Sequence, residues 1–208
     1  MKRLIFPSIV VCVVMLFAGT GFAADIGFGV KGGIALAGYS GDDSDDFASK
    51  LGFHAGGFAT MQLMDMLSLQ PEVLFSAIGA KGDLSGFDGK YKENLSYIEI
   101  PVLVKFYPPI SLPVALNIFA GPSLGINLSG KYTASGDYET LIGDDKGDLE
   151  DDFAYDLKTL VFGLSLGAGV DIDKIVIDAR YTMGLTSYEE DLDLKNSVFS
   201  VMAGYRFK

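Results

Sequence analysis

The stretch NSVFSVMAGYRFK, residues 196–208, decides the fold. Phe199, Val201, Ala203, Tyr205 and Phe207 share one parity and are all apolar or aromatic. Ser200, Met202, Gly204 and Arg206 share the other and are small or mixed. Successive side chains of a strand point to opposite faces, so this is a β-strand with one wholly apolar face. The alternation recurs upstream. Ile26, Phe28, Val30, Ile34 and Leu36, with Gly32 the one break, alternate with Gly27, Gly29, Lys31, Gly33 and Ala35. Leu51, Phe53, Ala55, Ala59, Met61 and Leu63 oppose Gly52, His54, Gly56, Phe58, Thr60 and Gln62. Further strands are expected at 67–78, 95–107, 114–128, 157–172 and 175–185, and no helical periodicity competes with them.

The connections between these eight strands alternate in length. Those after the first, third, fifth and seventh strands are long and acidic; those after the second, fourth and sixth are short, at Met64-Asp65-Met66, Pro108–Ser111 and Asp171–Lys174. An even number of antiparallel strands with that asymmetry is the pattern of a barrel crossing a bacterial outer membrane. The expected fold is all-β: an eight-stranded antiparallel up-and-down transmembrane barrel of OmpA/OmpX-like size. A soluble barrel or sandwich needs a charged, solvated face. Here the less apolar face of the sixth strand is Thr159, Val161, Gly163, Ser165, Gly167 and Gly169. That of the fifth is Asn117, Phe119, Gly121, Ser123, Gly125 and Asn127. Such faces suit the lining of a narrow barrel better than they suit water. Pro71, Pro101 and Pro122 fall inside strands, where each deletes a ladder donor, and are expected at bulges or bends.

At the other end, Lys2 and Arg3 precede an apolar run from Leu4 to Phe17 and small residues at Gly21 and Ala23. This is the form of a secretory signal peptide over residues 1–23, with the barrel domain over 24–208. Cys12, the sole cysteine, falls in that leader, so the expected mature chain has no disulfide or thiol chemistry. The formal net charge is -11 for the full chain of 208 residues. Such a balance excludes nucleic acid as a partner. No run after Phe17 approaches the roughly 20 apolar residues of a membrane helix.

The apolar parity faces lipid, so the other parity carries Lys31, His54, Glu72, Glu99, Lys105, Asp178, Arg180 and Arg206 inward. A lumen of eight strands is only wide enough for side chains to fill, and charges held there must pair. The expected site is a structural charge network of Glu72, Glu99, Lys105, Asp178, Arg180 and Arg206. Glu72 and Glu99 should be neighbours sharing Arg180 or Lys105, and Asp178 should approach Arg206. The competing reading of these charges is a proton path or gate. His54, the sole histidine, reads as a lining residue rather than a catalytic base, and no catalytic residue is assigned.

The acidic loops carry the metal candidates: Asp42, Asp43, Asp45 and Asp46 in one, Asp144, Asp145 and Asp148 in another. Neither has the spacing of an EF-hand loop, so solvated loops are the favoured reading over a calcium site. Tyr39, Tyr132, Tyr155 and Tyr188, with Tyr205 and Phe207, are expected in interfacial aromatic girdles, as are Tyr97 and Tyr181.

LSLQPEVLFSAIGAKG (67–82), YIEIPVLVKFY (97–107), FAGPSLG (119–125) and DARYTMGLT (178–186), together with the terminal GYRFK, resemble the outer-membrane β-barrel domain of PorT-like, "porin family" proteins of the Bacteroidetes type. The resemblance runs through the whole mature chain in order and departs from it in ending on Lys208 rather than on an aromatic residue. It implies residence in the outer membrane of a Gram-negative bacterium. The expected function is structural or surface-recognising and non-enzymatic, without cofactors. The alternatives are a narrow porin-like pore and an accessory part in outer-membrane protein secretion. Expected partners are outer-membrane lipid and lipopolysaccharide, the barrel-assembly machinery during insertion, and a surface ligand or secretion component.

Overall fold

A computed structural model describes residues 26–41, 47–82, 89–149, 157–188 and 194–207. The expected signal peptide, Asp42, Asp43, Asp45, Asp46 and Tyr155 lie outside them. The strands are β1 (Ile26–Ser40), β2 (Phe47–Met64), β3 (Leu67–Ile78), β4 (Ala80–Gly82), β5 (Gly89–Phe106), β6 (Ala115–Gly136), β7 (Lys146–Asp148), β8 (Leu160–Ile172), β9 (Ile175–Gly184) and β10 (Lys195–Arg206). A short helix, α1 (Asp137–Ile142), follows β6. Every pairing is antiparallel, and β10 returns to pair with β1 from Gly29↔Arg206 to Ser40↔Lys195, so the sheet has no open side. Gly79, at φ 143, breaks β3 from β4, but both pieces stay between β2 and β5 as one stave. β7 adds only to the far end of β6. The closed ring therefore has eight staves, as the alternation predicts.

Burial follows the parity. Phe28, Val30, Ile34 and Leu36 of β1 are exposed outward, as are Phe199, Val201, Tyr205 and Phe207 at the other edge of the seam. Their neighbours Lys31, Ala35, Val198, Ser200 and Met202 are buried inside. A shell of exposed Leu, Ile, Phe and Val around a polar interior inverts a soluble protein and fits lipid. Among the described residues no helix is long and apolar enough to cross a membrane.

Two features differ from expectation. β5 begins at Gly89 and β6 runs to Gly136, so the start of β5 and the end of β6 stay paired well beyond the lipid-facing band, where loops were expected. The prolines also mark no register shift. Pro71↔Val102 and Leu74↔Glu99 keep one register, and so do Pro101↔Ser123 and Val104↔Ala120. The missing N–H merely interrupts the ladder, because extended backbone accommodates the fixed φ. The shifts occur instead between Gln62 and Met64 and between Ser96 and Tyr97. The second reverses the parity of β6: Gly121, Ser123 and Gly125 point inward, but so do Tyr132 and Ala134.

Candidate functional site

Three layers fill the lumen. At the end with the short connections lies an open funnel of about 770 Å³, lined by Thr60, Tyr107, Asp171, Asp173 and Arg206 among others. Asp171 is its hub. It accepts from Asn117 Nδ2 at 3.2 Å and from the Tyr107 hydroxyl at 3.2 Å, and it pairs with Arg206. Lys105 Nζ stands 3.7 Å from Oδ1, the oxygen that Asn117 also contacts.

Halfway up, four charges cross the barrel. Lys31 on β1 donates to Glu72 at 2.9 Å and to Asp178 at 2.6 Å. Arg180 on β9 grips Glu72 with both terminal nitrogens, at 2.9 and 3.0 Å. Gln70 Nε2 donates to the same carboxylate at 2.7 Å, with Thr60 and Lys105 on its own oxygen. Lys31, Glu72, Asp178 and Arg180 are each at most 4% exposed. Two cations against two carboxylates make the set neutral, and bidentate charge-assisted geometry is what a buried cluster requires. Aromatic rings close the space around it. Lys31 lies 5.5 Å from the Phe58 ring and Arg180 5.4 Å from the Phe119 ring. Phe119 fits because Gly167 faces it: a Cβ there would strike the ring and the Ala179 carbonyl.

Of the six network residues expected from sequence, the geometry joins Glu72, Asp178 and Arg180 in one cluster and Lys105 and Arg206 at Asp171. Two expected pairings are not formed. Asp178 faces Met202 across β9 and β10, whereas Arg206 lies beyond Ile175 at the rim, so Arg206 meets Asp171 instead. Glu99 is level with Leu74 rather than beside Glu72, and lines a separate cavity of about 40 Å³ above the cluster, with Ser123 and Thr182. Lys31, the link between the two carboxylates, was placed inside but left out of the network. Its register against β2 and β10 could not be read locally. His54 is buried, with Nδ1 2.6 Å from the Ser76 hydroxyl, in the lining and away from the rim.

The third layer corrects the tyrosine girdle. Tyr97, Tyr132 and Tyr188 are at most 1% exposed, and Tyr39 stacks on Tyr188 with ring centroids 4.9 Å apart. These rings point into the barrel, where Leu95, Leu149, Leu157 and Leu194 pack with them into an apolar cap. Near the outer strand ends the lumen, no longer held by charges, is filled by aromatic bodies whose hydroxyls need partners. They find Glu93: Tyr39, Tyr91 and Tyr188 donate to its carboxylate at 2.6, 3.2 and 3.0 Å. Lys50 Nζ donates to its main-chain oxygen at 3.0 Å. Tyr181, Tyr205 and Phe207 remain on the outward face, the last two ring to ring at 5.7 Å. Among the described residues no three His, Cys, Asp or Glu side chains gather as a metal site; Asp144 and Asp145 are exposed on the turn before β7, and Asp148 is on β7 itself.

Glu93 stands on the hairpin extension, beyond the lipid band. Burial raises its carboxyl above the ordinary range, and the tyrosine hydrogen bonds oppose that only in part. A raised carboxyl binds its proton more tightly folded than unfolded. Its stabilising contribution is therefore complete at acid pH and is lost as pH rises through the folded value. Glu93→Gln removes the dependence. The unfolding free energy of the variant relative to wild type is expected to climb from acid to mildly alkaline buffer, and a flat difference would rule out a buried titrating Glu93.

A family model described as "Outer membrane protein beta-barrel domain" matches residues 19–189. No curated protein matches the chain in sequence. Among solved structures, Neisserial surface protein A is 15% identical, with 86% of this chain and 97% of that chain covered and a TM-score of 0.48. Ail, the attachment invasion locus protein of Yersinia pestis, is 18% identical over 87% and 99%, with a TM-score of 0.44. The outer membrane protein W of E. coli is 15% identical over 90% and 100%, with a TM-score of 0.41.

Proposed function

Because this chain belongs to the family of outer membrane protein beta-barrel domains and resides in the outer membrane of a Gram-negative bacterium, we propose that it is a closed, non-catalytic barrel whose wall anchors an outward-standing platform for structural or recognition work. In barrels of this class the short turns face the periplasm and the long loops the exterior. The funnel is then periplasmic, and the paired ends of β5 and β6 farthest from their turn, from Gly89↔Gly136 to Ser96↔Ser129, stand outside. One observation carries the reading: Lys31, Glu72, Arg180 and Asp178 span the lumen as a neutral, buried, mutually bonded set. A hydrated ion would have to displace bonds that hold each charge out of water. Planar bilayers receiving the purified protein are expected to show no conductance steps. Steady steps of the size of an open barrel would overturn the reading.

The funnel favours a second reading, a narrow gated pore entered from the periplasm, and the same recording decides between them. The PorT-like resemblance supplies a third, an accessory role in protein secretion. It draws support from Ile110 and Leu112, exposed on the connection over residues 107–114 at the periplasmic rim. Cross-linking in native membranes tests that role by the neighbours it captures.

A further inference from the structure

The acidic chain concentrates its lysines on one outward sector. Lys81 on β4 is paired with Lys92 on β5, Lys92 with Thr133 on β6, and Thr133 with Lys146 on β7. Paired residues share a face, and this one is the outer face: the strand neighbours Ala80, Glu93, Tyr132 and Ala134 are all buried inside. The row therefore presents three ammonium groups across four strands, roughly 15 Å at about 4.8 Å per strand. Lys131 lies in the next row, between Asn94 and Asp148, and Lys90 stands beyond Lys92. Like charges directly opposite on a sheet repel and destabilise it. The register at Lys81 and Lys92 sets them opposite all the same. Lys50 is beside them, its ammonium lowered first by burial and then by the nearness of Lys92. Among the described residues, the nearby carboxylates are Asp148, across from Lys131, Asp144 and Asp145 on the turn before Lys146, and Asp137 and Glu139 on α1 past the end of β6.

The height of the row names the partner. Outward residues are apolar up to Ile98 on β5 and Leu128 on β6, and become polar from Ser96 and Lys131 outward. The lysines thus stand directly above the hydrocarbon band, on the side of the long loops. In an outer membrane that level holds the phosphorylated sugars of the outer leaflet. We propose that Lys81, Lys92 and Lys146 form a binding site for the phosphates of lipopolysaccharide, with Lys131 and Lys90 at its edges. Lysine acts here as a point charge toward phosphate, and the bound anion relieves the repulsion within the row. The site rests on the long-loop end of the barrel facing outward but not on the lumen being closed.

The test uses the folded full chain in uncharged micelles, with binding isotherms for phosphorylated lipopolysaccharide, its dephosphorylated counterpart and inorganic phosphate. Wild type should bind the phosphorylated form at least about tenfold more tightly than the dephosphorylated one, since each lysine near an anionic surface contributes a several-fold factor. The K81Q/K92Q/K146Q variant should lose about tenfold or more, and K81R/K92R/K146R should stay within about threefold of wild type. Folding of each variant is checked by the heat-dependent gel shift. Should the triple glutamine variant not fold, K92Q and the dephosphorylated lipid decide. Equal binding by the glutamine variant, indifference to dephosphorylation, or no binding by wild type overturns the site. Equally tight binding of inorganic phosphate overturns its assignment to lipid. A conducting barrel that still binds would overturn only the closed-lumen reading.

Discussion

Replacement of Glu72 by alanine is expected to destabilise the folded barrel by about 3–5 kcal/mol, the cost of removing one partner from a buried ion pair. Glu72 takes hydrogen bonds from Lys31, from both terminal nitrogens of Arg180 and from Gln70. Its loss leaves two cations facing the single carboxylate of Asp178, in a space rimmed by Phe58 and Phe119 that cannot solvate them. The measurement is urea-induced unfolding in lipid vesicles, followed by the heat-dependent gel shift. Lys31→Met added to Glu72→Gln should recover much of the loss, because it removes a stranded cation along with the charge it faced. A Glu72→Ala cost below about 1 kcal/mol would mean that water reaches the cluster and that the lumen is not dry.

Val201→Arg should cost about 2–4 kcal/mol of folding free energy in a bilayer. Val201 lies between Ile34 and Ala179 on the outward face, midway along β10, and is exposed among the described residues. On a soluble barrel the same exposed position would accept arginine nearly without effect. The size of the change therefore reports the medium outside the wall. Thr133→Arg, on the same outer face but in the lysine row, provides the contrast and should cost little. Refolding into vesicles across a urea series measures both, and equal small effects would remove the case that lipid surrounds Val201.

Strand number, the lipid-facing parity below the β6 shift, the closing role of residues 196–207 and the inward placing of Lys31, Glu72, Lys105, Asp178 and Arg180 were legible in the sequence, because period-2 patterning is a local property. Asp171, the hub of the funnel, was not, since it reads as the first residue of a turn although it lies at the end of β8 on the inward side. Partnership was not legible either. Whether Arg206 meets Asp178 or Asp171 depends on the stagger of β9 against β10, and stagger accumulates around a ring that no local pattern records. The tyrosines failed for a related reason. A single extra residue near Leu128 reverses the parity of β6, so Tyr132 turns inward although the alternation below it points the other way. Strand ends rich in tyrosine read alike whether they ring the outside or plug the inside. Glu93, on which three hydroxyls converge, was hidden in a segment read as loop, and only the length of the β5–β6 hairpin brings it under the cap.

The seam between β1 and β10 has a kinetic meaning. The eight-stave ring is completed by pairing Gly29 with Arg206, residues near opposite ends of the described chain, while most other pairings join consecutive strands. Until that pairing forms, β1 and β10 each present a row of unpaired backbone groups, and Lys31 on β1 and Asp178 on β9, which meet over the seam, stand on strands not yet held together. Closure of the longest loop and assembly of the charge cluster thus coincide in one late step. Before it, the chain is a sticky open sheet, and after it a sealed cylinder. From the topology, closure of this seam is the expected slow step of folding.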